Sequence, residues 1–207
     1  MPVKTDREYR RMETIEIREE NEKKTVEGYA TTFGDFYTLY DLGDYRVLER
    51  IDAHAFDETD MADVIMQYDH EGHVFARVKN GTLRLNVDEH GLKVEADLGG
   101  TEIGRQLYEE IRGSYTDKMS FGFTVAVEGD ELRKETDPEN NKTTVYRTIT
   151  KIKKLYDVSA VSLPANDATE ISARNLSDGL IAGIEEERLA AEARRRKIQK
   201  IRIMMEV

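Results

Sequence analysis

A chain of 207 residues, 39% hydrophobic and 35% charged, is long enough for one packed domain with an appendage. It contains no cysteine, which excludes a disulfide framework, a cysteine-ligated zinc site and a thiol nucleophile. Its formal net charge of −11 argues against a nucleic-acid binder, which needs a basic face against phosphates. The polar N-terminus has no apolar signal region, and no run approaches the roughly 20 apolar residues of a membrane span, so neither export nor a membrane partner is expected.

In chain order, residues 1–13 read as a polar segment. Residues 14–18 alternate as a half-buried strand does, 25–31 resume as a second strand, and Phe33-Gly34-Asp35 ends it in turn chemistry. Residues 45–51 predict a strand leading into a short helix that begins near Asp52. Residues 64–68 predict a strand that delivers Asp69-His70-Glu71-Gly72-His73 into a turn. The stretch 75–79 is expected to pair with 82–87 across Asn80-Gly81, a strong hairpin signal, and 92–96 form the next strand. Ile103, Leu107, Tyr108 and Ile111 share one face of a helix over 101–112, capped by Thr101 and stopped by Gly113. Strands follow at 119–125 and 145–152, with the charged stretch 128–142 between them as an exposed hairpin loop. The last strand, 155–163, stops at Pro164. Residues 180–207, rich in Glu, Arg, Ala and Ile, read as an amphipathic helix with Ile184, Leu189, Ile198, Ile201 and Met205 on its apolar side. Its basic run Arg194-Arg195-Arg196-Lys197 reads as a solvated helix face or a contact for an acidic partner. Short strands at regular spacing indicate a sandwich or a barrel, and the expected fold is α+β, mainly β: a closed antiparallel barrel of about seven strands flanked by short helices. The domain expectation is 14–175 for the barrel and 176–207 for a helical tail.

Four histidines are available, His54, His70, His73 and His90. A serine hydroxyl is a weak nucleophile without a base in hydrogen-bond reach, and that base is most often a histidine oriented by a third group. His70, at the end of a strand, is placed to project into a site. Metal chemistry competes for the same stretch, since His70 and His73 are three apart with Asp69, Glu71 and His90 nearby. The spacing is not His-Glu-x-x-His, however, and the segment reads as a turn. No cofactor and no metal are expected. Gly99-Gly100 lacks the lysine and spacing of a phosphate loop.

Tyr68-Asp69-His70, the helix ending at Gly113, Met119-Ser120-Phe121-Gly122-Phe123, and Asp157-Val158-Ser159-Ala160-Val161-Ser162-Leu163-Pro164-Ala165-Asn166 occur in that order. The ordered set, over roughly residues 29–173, resembles the tailed-phage prohead protease family, which is similar in fold and mechanism to the herpesvirus capsid-maturation proteases. The resemblance implies Ser120 as nucleophile and His70 as general base. It implies Asp157 as the third member: the herpesvirus relatives use a second histidine there, and no histidine follows Ser120. It also implies an oxyanion hole from backbone near Ala165 and Asn166. Two departures stand out. Ala53-His54-Ala55-Phe56 replaces a frequent Pro-Gly-Ala-Phe, and the 128–142 insertion separates Ser120 from Asp157 further than the family pattern does.

What the resemblance implies about partners is a scaffold protein or the scaffolding segment of the major capsid protein as substrate, self-association as a homodimer, and action in the host cytoplasm inside the assembling procapsid. The tail would be a tether, removed by self-cleavage. Two rival readings stay open. One is a non-cutting module that tethers scaffold to shell, and the other a metal-dependent hydrolase.

Overall fold

The computed structural model describes residues 7–20, 23–161 and seven further positions between 183 and 197. Among the described residues it is mainly β, with thirteen strands in three sheets, one α-helix and one 3-10 turn. The strands are β1 (Glu8–Thr14), β2 (Glu16–Glu20), β3 (Lys23–Thr32), β4 (Tyr37–Leu42), β5 (Tyr45–Ile51), β6 (Ile65–Tyr68), β7 (Glu71–Arg77), β8 (Leu83–Val87), β9 (Gly91–Asp97), β10 (Lys118–Val125), β11 (Asp130–Thr136), β12 (Thr143–Ile149) and β13 (Ile152–Val161). The helix α1 spans Glu102–Arg112.

The sheets run β1-β10-β13-β6-β7, β11-β12-β5-β4 and β2-β3-β9-β8. This overturns the expected closed antiparallel barrel. None of the three sheets closes on itself, and two pairings, β12 with β5 and β13 with β6, are parallel. Closure would require end strands to pair with each other, but six of the seven residues of β11 are exposed, as are the first four of β7. Apolar alternation reports which residues are strands and which face is buried; it carries no information about which distant strand becomes the neighbour.

Three local expectations are corrected with it. Residues 78–80 form the 3-10 turn, closed by Gly81 at φ +75°, and they carry the chain from one sheet to another, so β7 and β8 do not pair across Asn80-Gly81. Residues 53–58 are turns, not a helix, with Asp52 accepting from the His54 N–H at 2.9 Å. The loop expected over 128–142 is mostly the β11–β12 hairpin: residues 130–136 are in its ladder, and 137–142 form the connection. The tail expected over 176–207 lies outside the described residues except at seven positions, which have helical backbone. No continuous helix besides α1 is formed among the described residues, so a helical tail is not part of the described fold.

Helix α1 follows its signals. Thr101 Oγ1 accepts from the Gly104 N–H at 3.0 Å, and the Gly113 N–H closes the last turn on Glu109 O at 2.9 Å. Leu107, Tyr108 and Ile111 are buried as expected, but Gly104 takes the place anticipated for Ile103. A Cβ at Gly104 would stand 2.4 Å from Leu98 O, so only glycine lets the helix approach that strand end.

The core sits around β10, which is buried along both faces from Met119 to Thr124. Phe121 and Phe123 stack with ring centroids 4.7 Å apart, among Met66, Met119, Ile152 and Leu155. Each such side chain contributes about 2–3 kcal/mol of burial.

A buried ion cluster ties the edge strand β1 to the second sheet. Glu49 on β5 is fully buried and sits opposite Arg147 on β12. Its carboxylate accepts from Arg10 Nε (2.5 Å) and Nη2 (2.9 Å), Arg147 Nη1 (2.7 Å) and the Tyr37 hydroxyl (2.5 Å). Glu8 and Asp130 complete the set through Arg147. Burial alone would push Glu49 up, but Arg10 and then Arg147 hold it down at about 2, against an ordinary 4.5. Glu8 is lowered as well: burial opposes ionisation there, and Arg147 and Arg10 outweigh it. A depressed carboxylate stabilises the fold above its unfolded value and loses that contribution as pH falls through its folded value. Stability should therefore decline between about pH 4.5 and 2, by on the order of 3 kcal/mol from Glu49. Urea midpoints across that window check it, and Glu49→Gln should flatten this part of the profile.

Candidate active site

The first sheet brings together three side chains that are 87 residues apart at the extremes. Ser120 lies mid-strand on β10, facing Ser159 on β13, and Gly122 faces Asp157. Antiparallel partners share a face, and side chains two apart on a strand do too. Ser120 and Asp157 therefore project on the same side of the sheet. His70 arrives from β6, the strand parallel to β13 on its other flank.

His70 is delivered by a two-residue hairpin turn. Tyr68 pairs with Glu71, and the residues between them, Asp69 (φ +47°) and His70 (φ +60°), are both left-handed. Tight hairpins of this hand favour glycine at the second position, where a side chain costs conformational energy. Here that position holds an imidazole. The Asp69 N–H bonds to Ala160 O at 3.0 Å, which hangs the turn on the strand that carries Asp157.

The resulting contacts form a line. His70 Nδ1 is hydrogen-bonded to Asp157 Oδ2, and His70 Nε2 is 2.6 Å from Ser120 Oγ. All three residues are buried, with exposures of 2% for Ser120, 6% for His70 and 2% for Asp157. With its Nδ1 proton held by the carboxylate, the imidazole presents a lone pair at Nε2 to the hydroxyl. Such a line can draw a proton off Ser120 and stabilise the imidazolium that results.

Four neighbours that sequence reasoning did not single out shape the line. Ser159 Oγ is 3.2 Å from His70 Nδ1 and donates to Asp157 Oδ2 at 3.3 Å; its place two residues after Asp157 was the available signal. Tyr9 on β1 packs its ring at 4.4 Å from the His70 ring. The Arg10 carbonyl accepts from Ser120 Oγ at 2.9 Å. Gly122 leaves room for the carboxylate, since a Cβ there would stand 2.5 Å from Asp157 Oδ1 and 2.8 Å from Tyr9 Cε1. Gly122→Ala should displace Asp157 from His70 and lower kcat about 100-fold, as small misplacements do. Turnover of a peptide substrate, read beside the melting temperature, checks it.

The other histidines go elsewhere. His54 is exposed with Nδ1 3.1 Å from Asp57, His90 packs edge-on against Tyr29, and His73 is exposed on a groove between β7 and α1. Ala165 and Asn166 lie outside the described residues.

The family model of the caudovirus prohead serine proteases matches residues 12–180. The chain belongs to that family. No curated protein and no solved structure matches it. Membership makes the chain a protease, a hydrolase of peptide bonds that acts in capsid maturation. The matched span contains Ser120, His70 and Asp157, and it begins two residues after Arg10. Among the described residues of this prohead protease, no helix is long and apolar enough to cross a membrane.

Proposed function

We propose that the chain is a serine endopeptidase that cuts scaffold or capsid protein segments inside the assembling procapsid, with Ser120 as nucleophile, His70 as general base and Asp157 as the group that orients the base. The observation that carries this reading is the buried line Asp157–His70–Ser120 with both imidazole nitrogens engaged.

In the acylation step, His70 Nε2 takes the Ser120 proton while Oγ bonds to the scissile carbonyl carbon. Asp157 holds the imidazolium. The tetrahedral intermediate collapses as His70 returns the proton to the departing amine, leaving an acyl-Ser120 ester. Water, deprotonated by the same nitrogen, then releases the acid and restores the hydroxyl. Backbone donors for the oxyanion, worth about 3–4 kcal/mol in such enzymes, are expected from the segment around Ala165 and Asn166. Self-association and a tethering role for 176–207 belong to the same proposal.

The test is incubation of the protein with its scaffold or capsid partner, followed by intact-mass analysis, alongside labelling by a fluorophosphonate probe. Fragments together with a probe adduct on Ser120 are expected. Neither fragments nor adduct would favour the module that tethers without cutting.

A further inference from the structure

Strand β1 is the outer edge of the first sheet and pairs antiparallel with β10, setting Arg10 opposite Phe121 and Arg11 opposite Ser120. The Ser120 hydroxyl has one proton and two acceptors within reach, His70 Nε2 at 2.6 Å and the Arg10 carbonyl at 2.9 Å. A peptide carbonyl of the chain itself thus lies against the candidate nucleophile, and Ser120 is left 2% exposed. No substrate reaches Ser120 while β1 is in place.

The residue that owns this carbonyl is seated as a substrate side chain would be. Arg10 is 2% exposed, and its guanidinium lies in the ion cluster, forked onto both oxygens of Glu49. Remove β1, and Glu8 and Arg10 leave together. The charged groups that remain are Glu49, Asp130 and Arg147, joined by Arg147 bonds to each carboxylate. Two carboxylates against one guanidinium leave one negative charge unmatched, and the Tyr37 hydroxyl still fixes Glu49 Oε1. That is a seat for one cation, shaped for the planar fork of arginine more than for the point charge of lysine. Departure of β1 also frees the edge of β10, along which an extended peptide adds through main-chain bonds.

We infer that β1 occupies the substrate groove of the protease, and that Glu49 is the floor of a specificity pocket for arginine at the residue whose carbonyl Ser120 attacks. The inference rests on the reading of Ser120 as nucleophile. It makes the substrate class an extended peptide with arginine just before the cut bond, and it makes the N-terminal strand a competitor for the same site.

The test uses the full chain and quenched-fluorescence peptides spanning residues 7–14, in native form and with Arg10→Lys, Arg10→Gln or Arg10→Leu. Cut positions are mapped by mass spectrometry, and fluorophosphonate labelling of Ser120 is measured in parallel. The native peptide should be cut after Arg10 with kcat/KM about 100-fold above the Gln and Leu peptides, with Lys between, because the latter two leave a buried carboxylate unmatched. Arg10→Ala in the protein, which loosens β1, should speed both labelling and peptide turnover; a strand that serves only the fold would slow both. Glu49→Gln should bring the Arg-over-Gln ratio towards one, a ratio that is independent of how much of the variant is folded. Labelled Ser120 with no peptide cut, or with no preference for arginine, overturns the inference and leaves the protease reading standing. No labelling and no cleavage in either wild type or Arg10→Ala overturns both.

Discussion

Ser120→Ala is expected to lower peptide-bond cleavage by about 10⁶-fold in kcat, the scale seen when a serine nucleophile is removed from a working triad. The fold should survive. The change deletes one hydroxyl from a buried position on β10 whose hydrogen bonds run to His70 Nε2 and the Arg10 carbonyl. A neutral hydrogen bond is worth about 1 kcal/mol net, so the melting temperature should move by no more than a few degrees. Intact-mass analysis of the variant with the scaffold or capsid partner should show no fragments, and the fluorophosphonate adduct should vanish. Fragments from the variant at the wild-type rate would mean that another residue is the nucleophile.

Asp157→Asn tests the other end of the line. The carboxylate accepts from His70 Nδ1 and from Ser159 Oγ, which keeps the imidazole proton at Nδ1. An amide nitrogen turned towards the ring would instead donate to Nδ1, and the proton would then sit on Nε2, facing Ser120 where a lone pair is required. The expected cost is about 10⁴-fold in kcat with little change in KM. Measured steady-state constants on a single peptide separate these. An unchanged kcat would reduce Asp157 to a structural carboxylate and leave the base oriented by Ser159 alone.

The candidate site was more legible in the sequence than the architecture around it. Ser120, His70 and Asp157 each lie in a short ordered motif, and the structure brings all three within hydrogen-bond reach. The strands at 45–51 and 65–68 and the helix at 102–112 follow from alternation, period and caps that operate over a few residues. What failed was long-range. The barrel was inferred from strand spacing, whereas the parallel pairings of β5 with β12 and β6 with β13 join segments some ninety residues apart. Nothing local in Val47 or Val145 announces that they will be neighbours. Strand β1 was missed for a different reason. Its residues Glu8 and Arg10 are charged, and charge reads as solvent exposure until partners such as Glu49 and Arg147 are known. The left-handed pair Asp69-His70 was read as a turn from composition, but which of its residues would face inward depended on the strand it hangs from.

All three site residues ride on adjacent strands of one sheet, β10, β13 and the turn after β6, and their spacing is set by strand register. The register between β10 and β13 is regular from Lys118 to Gly122, and its irregularities begin beyond the site. The hairpin tip at 137–142 makes none of the hydrogen bonds that join Ser120, His70 and Asp157. Evolution can therefore lengthen that tip, or an engineer can splice a reporter into it, without detuning the chemistry; the same freedom does not extend to a single residue inserted between Ser120 and Gly122, which would turn one of them to the opposite face of the sheet.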